Sequence, residues 1–115
     1  MKKRSLTLVV LLLFLFATQA QAVAYVTQPR PTLSFSGTTA YCYGTVTTGN
    51  ANSEIEATLT LWHGSTIVDS WSESGTGSVD FGGSCTVSKG ERYTLTLDAT
   101  VNGSPISRKS TSGTC

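Results

Sequence analysis

Residues 54–62 read EIEATLTLW, and residues 92–101 read RYTLTLDATV. Apolar and polar side chains alternate along both stretches, which is typical of half-buried strands in antiparallel sheets. Both stretches are therefore predicted to be strands with one face on a hydrophobic core. The side chains predicted to point into that core are Ile55, Ala57, Leu59, Leu61, Tyr93, Leu95, Leu97, Ala99 and Val101.

The rest of the chain after Pro31 contains similar short runs and no stretch with a helical period. The runs are rich in Thr, Val, Tyr and Ile, and glycines or Asn-Gly pairs separate them. Seven short strands with turns at this spacing predict an all-β fold, a single seven-stranded antiparallel β-sandwich over residues 32–115, with residues 23–31 as an extended lead-in. The predicted strands cover residues 32–35, 40–47, 54–62, 66–72, 78–87, 92–101 and 104–109 or slightly beyond.

Three local signals refine this prediction. Asn102-Gly103 is typical of the two-residue turn of a tight hairpin, because both turn positions need a positive φ. The resulting register places Ala99 opposite Ile106, and Pro105, which cannot donate to a ladder, indicates that the last strand is an edge strand. Gly82-Gly83 predicts a bulge or a close approach of two backbones.

Residues 88–93, SKGERY, resemble the corner between the fifth and sixth strands of immunoglobulin-like domains. The resemblance implies that Tyr93 opens the sixth strand and that its hydroxyl bonds back to the corner backbone. The antibody-type disulfide has no counterpart, because the inward positions of strand 92–101 include Leu95 and Leu97 instead of a cysteine. The chain thus resembles an immunoglobulin-like or fibronectin-like sandwich and departs from an antibody domain.

Three short sequence motifs also resemble those of a family of small secreted bacterial proteins of uncharacterised function. They are GTTAYC at residues 37–42, VDSWS at residues 68–72 and KGERY at residues 89–93. The resemblance implies a compartment and a fold, and it implies no mechanism.

The first 22 residues have the pattern of a cleaved bacterial signal peptide. Lys-Lys-Arg precedes the apolar run LVVLLLFLFA at residues 8–17, and Ala-Gln-Ala follows at residues 20–22. The run is too short for a membrane span, and small residues occupy the positions that a signal peptidase reads. We expect cleavage after Ala22, with Ala24 as the alternative, and therefore a secreted, extracellular protein with no membrane span in its mature chain.

Charge and composition exclude several functions. After cleavage the chain keeps five basic and seven acidic residues, which gives a net charge of −2. A weakly acidic chain lacks the basic patch that nucleic-acid binding requires. His63 is the only histidine, no Gly-x-Ser-x-Gly is present, and the acidic residues are scattered. We therefore predict no enzyme activity, no catalytic residues, no metal site and no cofactor, and we interpret His63 as a solvated turn residue.

Three cysteines remain after cleavage: Cys42, Cys85 and Cys115. The alternation points Cys42 and Cys85 inward on strands expected to be antiparallel neighbours, so a Cys42–Cys85 disulfide is predicted in an oxidising compartment. The alternatives are two buried thiols, or a bridge between Cys85 and Cys115. If the first bridge forms, Cys115 is an odd thiol that could link the chain to a partner or into a covalent homodimer.

Four aromatic side chains are the candidate ligand-binding residues: Tyr41, Tyr43, Trp62 and Trp71. A sheet face that carries Tyr and Trp can stack sugar rings or anchor a protein. The alternative is that Trp71 closes the core and that the tyrosines are ordinary surface. We predict a secreted, non-catalytic β-sandwich module that binds an extracellular protein or glycan; the alternatives are a structural or matrix subunit that assembles through edge strands and Cys115, or a small secreted toxin or inhibitor.

Overall fold

The computed structural model describes residues 29–115, so the predicted signal peptide and most of the lead-in lie outside the described residues. This part of the chain is all-β, and it contains no helix long and apolar enough to cross a membrane. Its eight strands are β1 (Arg30–Ser36), β2 (Thr39–Thr47), β3 (Glu54–His63), β4 (Thr66–Thr76), β5 (Ser78–Thr86), β6 (Arg92–Val101), β7 (Ser104–Pro105) and β8 (Lys109–Thr114).

The strands form two antiparallel sheets. A three-stranded sheet has the order β1-β2-β5, and a five-stranded sheet has the order β4-β3-β6-β7, with β8 also paired to β6. β1 packs against β8 and β6, whereas β5 packs against β4 and β3. The single residue Gly77, at φ +77°, carries the chain from β4 in one sheet to β5 in the other.

The predicted seventh strand is divided in two, which corrects the strand count from seven to eight. The Asn102-Gly103 turn has the expected positive φ values of 51° and 81°, and the N–H of Ile106 donates to the carbonyl of Ala99 at 3.0 Å. Pro105 has no N–H for the ladder, and the chain rejoins β6 only at Lys109, opposite Leu97. β4 also runs four residues beyond its predicted end.

The core lies between the two sheets, as the alternation predicts. Every inward side chain predicted for β3 and β6 is buried. On the central strand of the three-stranded sheet, a glycine faces two of these leucines: a Cβ at Gly44 would lie 3.2 Å from atoms of both Leu59 and Leu97. Small residues on one sheet thus make room for leucines on the other.

The corner before β6 has the contact that the immunoglobulin-like resemblance implies. The backbone N–H of Ser88 donates to the Tyr93 hydroxyl at 2.9 Å, and this prediction is confirmed. The Tyr93 ring itself is buried and lies 5.9 Å from the Phe35 ring between centroids.

Candidate ligand-binding face

Tyr41 and Tyr43 lie on the outer surface of the three-stranded sheet, on its central strand β2. Each keeps 50% of its surface exposed, as expected from the inward direction predicted for Cys42, which lies between them. They are two residues apart on one strand, so their Cα atoms are about 6.6–6.8 Å apart and their side chains leave the same face.

Small residues flank both tyrosines on the neighbouring strands. Tyr41 lies between Ser34 of β1 and Ser84 of β5, and Tyr43 lies between Thr32 and Gly82. The two tyrosines and these small residues line a shallow groove of about 360 Å³. Within residues 29–115, no hydrogen bond involves either tyrosine hydroxyl. The aromatic faces and hydroxyls are therefore open to a ligand.

Other parts of the chain approach β5 closely at Gly82 and Gly83. A Cβ at Gly82 would collide with the carbonyl oxygen of Cys42 and would lie 2.9 Å from the Cα of Tyr43. A Cβ at Gly83 would lie 2.8 Å from Cε2 of Trp71. The close approach predicted for this glycine pair is confirmed, and only glycine fits the bare edge of the groove beside Tyr43.

The structure does not bring the four predicted aromatic residues together. Trp71 lies between the sheets, partly buried against the core, so it has the core-closing position that was the alternative. Trp62 lies on the opposite outer face, half-buried, and its indole N–H donates to Thr96 Oγ1 at 2.9 Å. Only Tyr41 and Tyr43 share an exposed surface.

A second, larger groove of about 450 Å³ lies on the outer face of the five-stranded sheet, and the sequence did not indicate it. Its wall includes Pro105 and Ile106, where the last strand leaves β6. One of its carboxylates, Asp98, accepts two hydrogen bonds from the Arg108 guanidinium, at 2.7 and 2.9 Å, and these raise the pKa of Arg108. The outward positions were predictable, but the concavity depends on the break at Pro105.

The predicted Cys42–Cys85 disulfide is not present in the structure, where the three cysteines of residues 29–115 are free thiols. Cys42 lies opposite Gly83, and Cys85 lies opposite Ala40, so the two thiols are diagonal neighbours on the inner face of adjacent strands. Burial, followed by the neighbouring Cys85 and Asp69, raises the pKa of Cys42 to about 12. Burial and Asp69 also raise the pKa of Cys85. Both thiols are thus poor nucleophiles.

Cys115 is held at the corner before β6. Its N–H donates to the carbonyl of Glu91 and its carbonyl accepts from Gly90, both at 2.9 Å. Its thiol donates to the carbonyl of Gly37 at 3.2 Å. Because β8 packs over β1 while β5 lies at the opposite edge of that sheet, Cys115 and Cys85 lie on opposite sides of the sandwich.

His63 ends β3 at this same corner and is half-exposed. Its Nε2 lies 3.2 Å from a Glu91 carboxylate oxygen, and its ring lies 5.2 Å from that of Tyr93. Within residues 29–115, no three His, Cys, Asp or Glu side chains come together as a metal site requires.

Neither a scan against protein-family models nor a search of curated proteins found a match to this chain.

Proposed function

We propose that this chain is a secreted, non-catalytic binding module that engages an extracellular protein or glycan through Tyr41 and Tyr43. One observation carries the proposal: two adjacent tyrosines, each half-exposed and with an unbonded hydroxyl, stand over a groove lined by small residues. Exposed aromatic side chains supply large contact areas at a small cost in conformational entropy. Their backbone lies on the central strand of a sheet, which fixes the spacing of the two side chains before a ligand binds.

The proposed secretion of the protein depends on the N-terminal sequence. Residues 1–22 combine a basic start, a short apolar run and an Ala-Gln-Ala cleavage site, which favours export from a bacterial cell. Export also favours a disulfide between Cys42 and Cys85, which already face the same interior from neighbouring strands.

The proposed fold type is an immunoglobulin-like sandwich in a variant form. The first, second and fifth strands pair in one sheet and the third and sixth in the other, as in that fold, and Tyr93 makes the corner contact. The departure is β4, which pairs with β3 in place of β5. Such sandwiches commonly serve as extracellular recognition domains, although the fold alone does not define a ligand.

The proposal is tested with the double variant Tyr41→Ser/Tyr43→Ser. Purified mature protein is screened by surface binding against immobilised glycans and extracellular proteins, and the affinities of variant and wild type are compared. We expect the variant to lose at least about tenfold in affinity, since two stacking contacts are removed. A matched control, Ser110→Ala/Ser112→Ala on the opposite outer face, should bind as the wild type does.

Urea unfolding of both variants is the control for folding, because a loss of binding is informative only if the variant protein is folded. If the tyrosine variant is folded and binds every wild-type ligand with unchanged affinity, the proposed face is wrong.

The structural-subunit alternative draws less support from the structure. Its covalent link would use Cys115, but that residue is partly buried against the core and its thiol donates to Gly37 within the chain. An intermolecular bridge would first have to break this contact.

A further inference from the structure

We propose that the outer surface of the sheet formed by β1, β2 and β5, here called the tyrosine face, binds an uncharged polysaccharide. The polysaccharide chain lies along β2, with successive sugar rings stacked on Tyr41 and Tyr43. This inference rests on the proposed function and assigns the ligand class. It is carried by three features of the face: its charge, its geometry and its lack of other apolar groups.

The tyrosine face has hydroxyl groups almost everywhere and no net charge. Its only charged residues, Arg30 and Asp80, both lie opposite Thr45, so opposite charges flank a single position at one side of the tyrosines. The lining of the groove contains no Asp, Glu, Lys, Arg or His. The remaining outward residues are Thr32, Ser34, Ser36, Thr39, Tyr41, Tyr43, Thr45, Thr47, Ser78, Gly82, Ser84 and Thr86.

This chemistry complements a neutral polyhydroxyl ligand. Hydroxyls both donate and accept, so a Ser/Thr surface can pair with sugar hydroxyls in several orientations. A sulfated or uronic-acid chain would need cationic partners, and the groove holds none. The charge of the face therefore favours an uncharged glycan over an anionic one.

The geometry of the tyrosines favours a chain over a single sugar. The two rings repeat along one strand, and small residues stand on both sides of each, so an extended ligand can run parallel to β2 and contact both. Gly82 leaves the space beside Tyr43 without a side chain. Contacts should accumulate as the ligand grows from one ring to two or more.

A protein partner fits this face less well. Protein interfaces of standard size bury about 800 Å² on each side around a desolvated aromatic or apolar centre. Apart from the tyrosines, the outward side chains here are polar or absent. The other exposed large apolar residues of the described chain, Ile67 and Val68, lie on β4 in the other sheet.

The test uses the mature protein with neutral gluco-, xylo-, manno- and chito-oligosaccharides of one to six units, and polygalacturonate as the anionic comparison. Binding is measured by titration calorimetry and located by amide chemical shifts. We expect affinity to rise at least about tenfold between one unit and three and then to level off, with shifts confined to β2 and the flanking residues of β1 and β5. Tyr41→Phe and Tyr43→Phe should bind within about threefold of wild type, whereas each Tyr→Ser change should lose about tenfold.

The outcomes separate this inference from the proposed function. Tyrosine-dependent binding of a protein, with no binding of any neutral oligosaccharide, overturns the glycan inference and leaves the proposed function standing. Oligosaccharide binding that survives Tyr41→Ser/Tyr43→Ser, or that maps to the groove beside Pro105, overturns both. Tighter binding of polygalacturonate than of every neutral chain overturns the assignment of an uncharged ligand.

Discussion

The two outer faces of this sandwich are both rich in hydroxyls and both carry aromatic residues, yet they differ in how many of their polar groups already have partners. On the five-stranded sheet, Thr58 bonds to Ser72 at 3.1 Å and Thr94 bonds to Ser112 at 3.0 Å. Trp62 on that face donates to Thr96. On the three-stranded sheet, Tyr41 and Tyr43 have no such partner among the described residues. Composition alone thus does not distinguish the two faces, whereas the unused hydrogen-bonding capacity of the tyrosine hydroxyls does.

The inner surfaces of the two sheets differ as well. Leucines of β3 and β6 fill the core from one side, whereas the inward residues of β2 and β5 are Ala40, Cys42, Gly44, Val46, Val79, Phe81, Gly83 and Cys85. The inner side of the strands that carry the tyrosines therefore includes a pair of thiols. The unfolding free energy of the whole sandwich should therefore respond to the oxidation state and the protonation of these thiols.

The largest expected effect is a loss of stability at high pH that the Cys42 thiol causes and that the oxidised protein lacks. The pKa of Cys42 rises from its ordinary 9.0 to about 12 in the folded state, so above about pH 9 the unfolded state loses its proton first. The free energy of unfolding should then fall between about pH 9 and 12, by up to roughly 4 kcal/mol. Oxidation to the proposed Cys42–Cys85 disulfide would remove this loss and stabilise the protein by about 2–4 kcal/mol.

Urea unfolding of reduced and oxidised Cys115→Ser protein at pH 8 and pH 10 checks this prediction. The two forms share every other side chain, so the difference between them isolates the contribution of the thiols. Identical pH dependence of the two forms would contradict it, and an oxidised protein that is not two hydrogens lighter by mass would show that the bridge does not form.

The next effect concerns the close approach beside Tyr43. Gly82→Ala would place a methyl group against the Cys42 carbonyl, and because that obstacle is backbone, β5 itself must shift. We expect a loss of about 1–3 kcal/mol in unfolding free energy. Ser84→Ala, on the same face of the same strand, should change it by less than about 0.5 kcal/mol. Equal effects of the two substitutions would mean that β5 tolerates the displacement.

The alternation of side chains sufficed to predict most of this architecture. It assigned β3 and β6, their buried sets and the outward tyrosines, because period-two alternation records burial directly. It could not predict that Thr60 and Thr96, at outward positions, are 7% and 6% exposed. Their burial accompanies Trp62, whose bond to Thr96 joins residues 34 positions apart. Contacts between distant residues, and the groove at the broken last strand, leave no local pattern in a single sequence.

Trp62 and Tyr41 offer a direct comparison of a bonded and an unbonded aromatic residue. Trp62→Phe removes the donor to Thr96 Oγ1 and leaves a buried hydroxyl with only a 3.5 Å contact to the Thr60 carbonyl. We expect it to lower the unfolding free energy by about 1–2 kcal/mol. Tyr41→Phe should change it by less than about 0.5 kcal/mol. A greater cost for Tyr41→Phe would reveal a partner for its hydroxyl and contradict the open tyrosine face.

The smallest effect is expected at the Asp98–Arg108 ion pair on the outer face of the five-stranded sheet. Asp98 and Arg108 form a well-aligned pair, but their side chains are 41% and 57% exposed, so water and salt compete with both groups. The raised pKa of Arg108 adds no pH dependence, because the guanidinium is charged in the folded and the unfolded state at any accessible pH. Asp98→Asn should therefore leave the urea midpoint unchanged within error at 0.15 M salt, a roughly physiological ionic strength. A clear drop in the midpoint would mean that this pair holds the chain between β7 and β8 in place, and the second groove would then depend on a single ion pair.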